Sequence, residues 1–230
     1  MDAAACPPPA LGPTRVLVAP EVVLDARLAL YHRAERWLAV ADPHFGYEVS
    51  LRAAGALFPM WGMETIEARL LVLLEDYRPA QLIVAGDFVH NHDARAEGLG
   101  LAARLRSALA AGGGGELVLI AGNHDRRAFR AGEMCEWHAT ERFCFHHGDR
   151  PALVDGVGKG KTVIVGHHHP ARTLSDGAGF SAKLPAFVQT DEQWILPAFS
   201  PWAVGGGKGF GSNPRHWLCS PKRILPPRGR

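Results

Sequence analysis

At 230 residues, 47% hydrophobic and 21% charged, the chain has the length and balance of one globular domain with a sizeable core. A net charge of +2 is too small to mark a nucleic-acid binder, and no apolar run approaches the ~18 residues of a membrane span. The start, MDAAACPPPALGP, has neither the basic region nor the apolar stretch of a signal peptide, so a cytoplasmic location is expected. Cys6, Cys135, Cys144 and Cys219 lack CxxC spacing and read as reduced thiols rather than a disulfide frame or a zinc site.

Along the chain, residues 1–13 are rich in Ala and Pro and read as a disordered tail. Segments 22–24 and 28–31 predict a hairpin, and 37–41 an apolar strand. Residues 45–63 show no clear period and read as an irregular lip. A helix is predicted from Glu64, with Ile66, Leu70, Leu73, Leu74 and Tyr77 on one face and Pro79 as its stop. A strand at 82–85, a helix at 94–111 ended by four glycines, and a strand at 117–121 follow. Further strands are expected at 141–147, 162–165 and 194–196. Early alternation of strand and helix, then strands mostly alone, fits two sheets packed together with helices outside.

Five short polar blocks punctuate this pattern, each after an apolar run: Asp42-Pro43-His44, Gly86-Asp87-Phe88-Val89-His90, Gly122-Asn123-His124-Asp125, His147-Gly148-Asp149 and Gly166-His167-His168-His169. Singly they are bland, since Gly122-Asn123 is a turn signal and Gly86-Asp87 fits any strand-to-loop corner. In this order, at strand tips, they supply what two neighbouring divalent cations need: a bridging carboxylate and a mixed shell of imidazole and oxygen. On an extended backbone, residues two apart point the same way. Asp42 and His44 are therefore expected to grip one ion together, and His167 and His169 to share a face with His168 turned away. Asp87, behind a glycine, is the natural bridge; Asn123 offers a neutral amide oxygen; His147, His167 and His169 complete two sets of ligands.

Two ions against two carboxylates leave a positive field that attracts an anion such as a phosphate ester. A bridging water acidified toward hydroxide then attacks phosphorus, and His124, not needed as a ligand, protonates the leaving oxygen. Asp125 is expected to accept a hydrogen bond from an imidazole and fix its tautomer. His90 reads as a substrate contact, a support for the ligands or an ordinary loop histidine. His146 reads as a satisfied histidine, and His138 and His216 as surface residues.

Together the blocks resemble the calcineurin-like metallophosphoesterase superfamily, whose signatures are DxH, GDxx, GNH followed by Asp or Glu, a strand-end His-Gly, and GHxH. The likeness covers about residues 37–170. It implies an α/β fold, a four-layer αββα sandwich of two mixed β-sheets. It also implies one metal on Asp42, His44, Asp87 and His169, and the other on Asp87, Asn123, His147 and His167. A narrower resemblance, to the ligase-associated phosphoesterase subfamily PdeM, is carried by ADPHFG (41–46), GDFVH (86–90), GHHHP (166–170), LPA (184–186), LPAFS (196–200) and GGG (205–207). Arg52, Gly55 and Pro59 sit where that subfamily has an Arg-x-x-Gly lip. The subfamily implies a bacterial, manganese-dependent DNA phosphodiesterase or endonuclease linked to a DNA ligase and a helicase. Pro43 stands where relatives have Leu or Phe. Tyr47 stands where they have Lys, which removes a phosphate contact. The motifs after residue 170 have no metal role derivable from sequence.

The expectation is an enzyme: a phosphodiesterase with two divalent metal ions, manganese first and iron, zinc or nickel open. Its expected substrate is DNA, single-stranded, in repair, with a DNA ligase and a helicase as partners and no membrane. His90 and Arg52 are the expected substrate contacts. The alternatives are a phosphodiesterase of small nucleotides or other phosphodiesters, and a catalytically silent scaffold, which the complete ligand set and His124 disfavour. The phosphoesterase domain is set at 14–207. Residues 208–230 form a basic, Pro/Gly-rich tail: no acidic residue follows Glu192, whereas Lys208, Arg215, Lys222, Arg223, Arg228 and Arg230 do. That tail reads either as a flexible arm tracking a phosphate backbone or as a solubilising terminus.

Overall fold

The computed structural model describes residues 11–203, 205–206 and 210–227. Most of the expected N-terminal tail, and Gly207, Lys208, Arg228 and Arg230, lie outside the described residues. The first sheet is built from β1 (Arg15–Ala19), β2 (Val22–Asp25), β3 (Ala29–His32), β4 (Trp37–Val40), β5 (Gln81–Ala85) and β6 (Glu116–Ile120), in that spatial order. Strands β1 to β4 run antiparallel to their neighbours, and β4, β5 and β6 are parallel. The central strands WLAV and QLIVA are almost wholly apolar because both their faces are covered.

The second sheet contains β7 (Trp137–Ala139), β8 (Phe143–His146), β9 (Thr162–Val165), β10 (Ala171–Ser175), β11 (Ser181–Gln189), β12 (Gln193–Ile195), β13 (Arg215–Ser220) and β14 (Arg223–Leu225). Its order is β14-β13-β11-β12-β9-β8-β7, with β10 paired to β11 and the parallel pairs at β12–β9 and β9–β8.

Alternation along β3 shows how the layers stack. Tyr31 meets Tyr77 of the helix outside the sheet at 4.5 Å, whereas the next residue, His32, lies inside against Trp37 and Phe143. Trp37 packs edge-on to Phe143 and Phe145 of β8, about 5 Å away, joining the sheets at their centre.

Four helices accompany the sheets: α1 (Tyr47–Ala53), α2 (Gly62–Tyr77), α3 (Arg95–Ala111) and α4 (Asp125–Ala128). Helix α2 buries the five residues expected of it and ends at Arg78, in the left-handed region, ahead of Pro79. Helix α3 buries Leu101, Leu105 and Leu109 and gives way to the glycine run at Gly112. On the second sheet, the 3₁₀ turn Pro151–Val154 packs against β8. The architecture is the α/β sandwich of two mixed sheets with flanking helices.

Two readings of the sequence are corrected. The lip at 45–63 contains a helix, α1, that has no side-chain cap and starts from Gly46 at φ 75°. It is held instead by its buried Glu48, which accepts hydrogen bonds from the Met63 N–H (2.7 Å) and the Trp202 indole (3.1 Å). The expected C-terminal tail supplies β13 and β14. In β13, Trp217 and Cys219 point inward while Arg215 faces solvent, and the strand pairs with β11. Beyond it, Ile224 N–H donates to Pro13, so the domain is wider than 14–207 at both ends.

Each polar block lies at the carboxyl end of a parallel strand: β4 leads to Asp42, β5 to Asp87, β6 to Asn123, β8 to His147 and β9 to His167. All five strands therefore open onto one edge of the sandwich, where an α/β sheet holds its ligands.

Candidate metal centre

The loops leaving these strands are strained where the polar residues sit. Asp42, His44, Asp87, His167 and His169 have φ of 51°, 45°, 47°, 65° and 44°, half of the ten non-glycine residues with positive φ among those described. Side chains disfavour this region, so neighbouring contacts must hold it. Those contacts are backbone hydrogen bonds between the loops: Asp42 N–H to Gly86, His44 N–H to Asp87, and Ser200 N–H to Asp42. Asp42 and His44 thus meet through left-handed turns and not, as expected, by pointing the same way from an extended strand. The same holds for His167 and His169.

The seven residues converge as two groups. In one, the ligating atoms of Asp42, His44 and His169 lie within 4.8 Å of one another; in the other, those of Asp87, His147 and His167 do. Asn123 joins the second, its Oδ1 3.1 Å from His147 Nε2, which is also 3.1 Å from His167 Nδ1. Asp87 stands between them: its Oδ2 is 3.7 Å from His44 Nε2 and 3.4 Å from His147 Nε2.

Several features show that these donors fit divalent cations. Asp42 is wholly buried, and its Oδ1 has no hydrogen-bond partner. His147 Nδ1 faces the Ala85 carbonyl at 3.3 Å; a carbonyl only accepts, so the proton is on Nδ1 and Nε2 turns a lone pair inward. Burial first, then the surrounding imidazoles led by His169, push the His44 pKa down to about 2, which keeps it neutral and able to ligate. A Cβ at Gly86 would run into the His147 ring, and one at Gly122 into the Asp87 carboxylate. Both glycines give the ligands their space.

Residues 36–196 match the calcineurin-like phosphoesterase family. The chain belongs to that family. The crystal structure of Pseudomonas putida nuclease MPE is similar with a TM-score of 0.68 and 31% identity, over 89% of this chain and 94% of that one. A protein of unknown function from Aquifex aeolicus, AQ665, is similar with a TM-score of 0.39 and 20% identity, over 59% of this chain and 80% of that one. The chain matches no curated protein sequence. As a calcineurin-like phosphoesterase it is a metal-dependent hydrolase of phosphate esters, and the likeness to the Pseudomonas nuclease agrees with a PdeM-like placement.

Around the phosphoesterase's metal groups lies a cleft of about 190 Å³ lined by His44, Tyr47, His90, His124, His169 and Trp202, among others. His124 Nδ1 is 2.5 Å from the His90 carbonyl, which again fixes the proton on Nδ1. Its backbone N–H donates to Asp87 Oδ1 at 2.9 Å. His44, His90 and His124 also form a third close group, which places the His124 imidazole beside that of His44. His90 itself is pushed down to about 4, by burial and then by His124.

Asp125 does not do what the sequence suggested. It contacts no imidazole; its two oxygens accept the backbone N–H groups of Phe88 (3.0 Å), Val89 (2.9 Å) and Gly122 (3.0 Å). It is a positioning residue that clamps the loop after β5 to the loop after β6. Burial drives its pKa up to about 6 against the pull of those three bonds. Arg52 lies on the exposed side of α1 and does not line the cleft. His168 is exposed, with its ring 6.3 Å from Phe210.

Sequence reading missed an aromatic wall beside the cleft. Tyr47 packs 4.6 Å from His90, and Trp202 gathers Phe58 (4.7 Å) and Trp61 (4.3 Å), the last 47% exposed. Tyr47 and Phe58 lay in the segment read as an irregular lip, and Trp202 is 154 residues from the Glu48 that holds it. Only the density of aromatic residues near the first block hinted at it.

Proposed function

We propose that this phosphoesterase is a two-metal phosphodiesterase acting on single-stranded DNA. One ion would be held by Asp42, His44, Asp87 and His169, and the other by Asp87, Asn123, His147 and His167. The observation that carries the reading is the Asp87 carboxylate: one of its oxygens faces the imidazoles of both groups, the arrangement a shared ligand requires. When bound, such ions polarise the phosphoryl oxygens and acidify water.

The protein's own groups account for the rest. His124 has Nδ1–H held by the His90 carbonyl, which leaves Nε2 as the atom that carries a proton to the departing oxygen. His44, with its depressed pKa, stays neutral while His124 cycles. The Tyr47–Trp202 wall offers faces on which unpaired bases stack without sequence preference, which favours a single strand. The likeness to the Pseudomonas putida nuclease supports a nucleic-acid substrate. The imidazole and oxygen donors accommodate manganese, iron, zinc or nickel, and the PdeM resemblance favours manganese. That resemblance also supports a setting in DNA repair, endonuclease action, and a DNA ligase and a helicase as partners.

The test is hydrolysis of a single-stranded oligonucleotide and of bis-p-nitrophenyl phosphate with manganese, by wild type and Asp87→Ala. Cleavage of both substrates by wild type and neither by the variant is expected. Turnover of the small diester alone would overturn the DNA reading and leave the phosphodiesterase chemistry standing.

A further inference from the structure

A second cleft, of about 290 Å³, adjoins the metal centre and shares His169, Ser200 and Ala203 with the first. It is lined by two cations, Arg69 from α2 and Lys183 from β11. Among the described residues neither forms an ion pair. Arg69 is half-buried; it donates one hydrogen bond, to the Phe199 carbonyl at 3.1 Å, and its guanidinium lies 4.7 Å over the Phe199 ring. A guanidinium has five N–H donors, and burying one without an anion is costly. Burial alone pulls the Arg69 pKa below its ordinary value, with no carboxylate to offset it.

The late sequence motifs that had no metal role build this cleft. Pro185 comes from 184–186, and Ala198 and Ser200 come from 196–200. Gly205 lies flat on the His169 carbonyl, where a Cβ would overlap it, and Gly206 N–H donates to the same carbonyl at 3.1 Å. A Cβ at Gly206 would come within 3.1 Å of Lys183 Nζ, so glycine there leaves the ammonium room. The loop that fixes the metal ligand His169 therefore also shapes the space in front of Lys183.

We propose that the Arg69–Lys183 cleft binds a second phosphate of the substrate, the one neighbouring the phosphodiester at the metal centre along the same strand. The proposal rests on the nucleic-acid reading above and makes the substrate an oligonucleotide rather than an isolated diester. Arg69 presents a fork that matches phosphate oxygens, and Lys183 a mobile point charge. The remaining walls are largely Pro, Ala and Gly, which offer nothing to read a base. The subsite therefore holds the backbone in register without selecting sequence.

The experiment uses the full chain with manganese and three substrates: bis-p-nitrophenyl phosphate, a dinucleotide with one internal phosphodiester, and that dinucleotide carrying terminal phosphates. Wild type is expected to prefer the phosphorylated dinucleotide at least about tenfold in kcat/KM, through KM, since the added phosphate gains charge-assisted hydrogen bonds from Arg69 and Lys183. In Lys183→Glu, a change on an exposed strand position, the preference should fall to near one. Arg69→Gln, shown to be folded by its thermal melt, should lose it as well. A wild type that cleaves both dinucleotides equally overturns the subsite alone. Equal losses on all three substrates in Lys183→Glu overturn it too. A wild type that turns over only bis-p-nitrophenyl phosphate overturns the nucleic-acid reading, and the subsite with it.

Discussion

Asp25 and Asp42 are both buried at strand ends of the first sheet, 1% and 0% exposed, yet their surroundings differ in kind. Asp25 is met by Arg15 (3.2 Å), Arg27 (2.7 Å) and the Tyr77 hydroxyl (2.9 Å), and its other oxygen accepts the Arg27 N–H (2.9 Å). Every lone pair faces a donor that the chain itself provides. Around Asp42 one oxygen, Oδ2, accepts the His167 backbone N–H (2.9 Å), the remaining neighbours are the imidazoles of His147 (3.5 Å) and His169 (3.6 Å), and Oδ1 is left without a hydrogen bond. The first cluster is complete as folded. The second is complete only with cations from outside, and its strained backbone marks the cost of gathering the ligands.

The sharpest way to break the comparison is to remove Asp87, the carboxylate proposed to be shared by both ions. Asp87→Ala should lower kcat by at least about 10³, since it removes the carboxylate that faces both groups. Saturating manganese at about a hundred times Kd should stabilise wild type by about 2.7 kcal/mol, a thermal shift of several degrees. The variant should show almost none of that shift, and scanning calorimetry with and without metal reads it directly. Next in size, His124→Gln should cost about 10²–10⁴ in kcat on DNA while leaving the manganese-induced shift intact. The loss should shrink on bis-p-nitrophenyl phosphate, whose leaving group needs little protonation. A His124 variant that lost the metal shift would move this residue among the ligands.

The other side of the comparison should respond in stability, not chemistry. Asp25→Ala strands Arg15 and Arg27, although both keep Asp76 at 2.5 and 2.8 Å. Because Asp76 remains, the expected loss is about 3 kcal/mol, the low end for breaking a buried ionic cluster. Urea titration measures it. Activity per folded molecule should stay within about twofold, so a large drop in kcat would show that the two regions are coupled.

What could be read from sequence follows the same division between local and distant causes. The five strands and helices α2 and α3 were legible because each carries its own periodicity, and each ligand stands next to the strand that delivers it. Two of the three partners of Asp125 were not, because they are backbone N–H groups 36 and 37 residues away. Strand β13 was hidden for a similar reason. Six residues, RHWLCS, carry two inward side chains among basic neighbours, and only the pairing with β11 makes them a strand. The left-handed backbone of the ligands was also beyond reach, since spacing alone suggests an extended strand.

Acid should separate the two regions in the metal-free protein. Burial, then His124, holds His90 at about 4, well below the roughly 6.5 of an unfolded histidine. Below pH 6.5 the unfolded chain takes up a proton that the folded chain refuses, so stability present above that pH is lost as it falls toward 4. Asp25 titrates elsewhere. Burial works to raise its pKa, but the hydrogen bonds and charge of Arg27, with the Tyr77 hydroxyl, more than offset it, and the net shift is downward. Its contribution is therefore whole above pH 3.8 and lost only as pH falls through its lowered folded value. Urea midpoints in chelator should decline from pH 6.5 to 4.5 in wild type and more gently in His90→Gln. Both proteins should keep the later, steeper loss below pH 3.8. If His90→Gln tracks wild type throughout, the early loss belongs to other histidines of the site. If the early loss vanishes in Asp25→Ala instead, the division drawn between the two clusters is wrong.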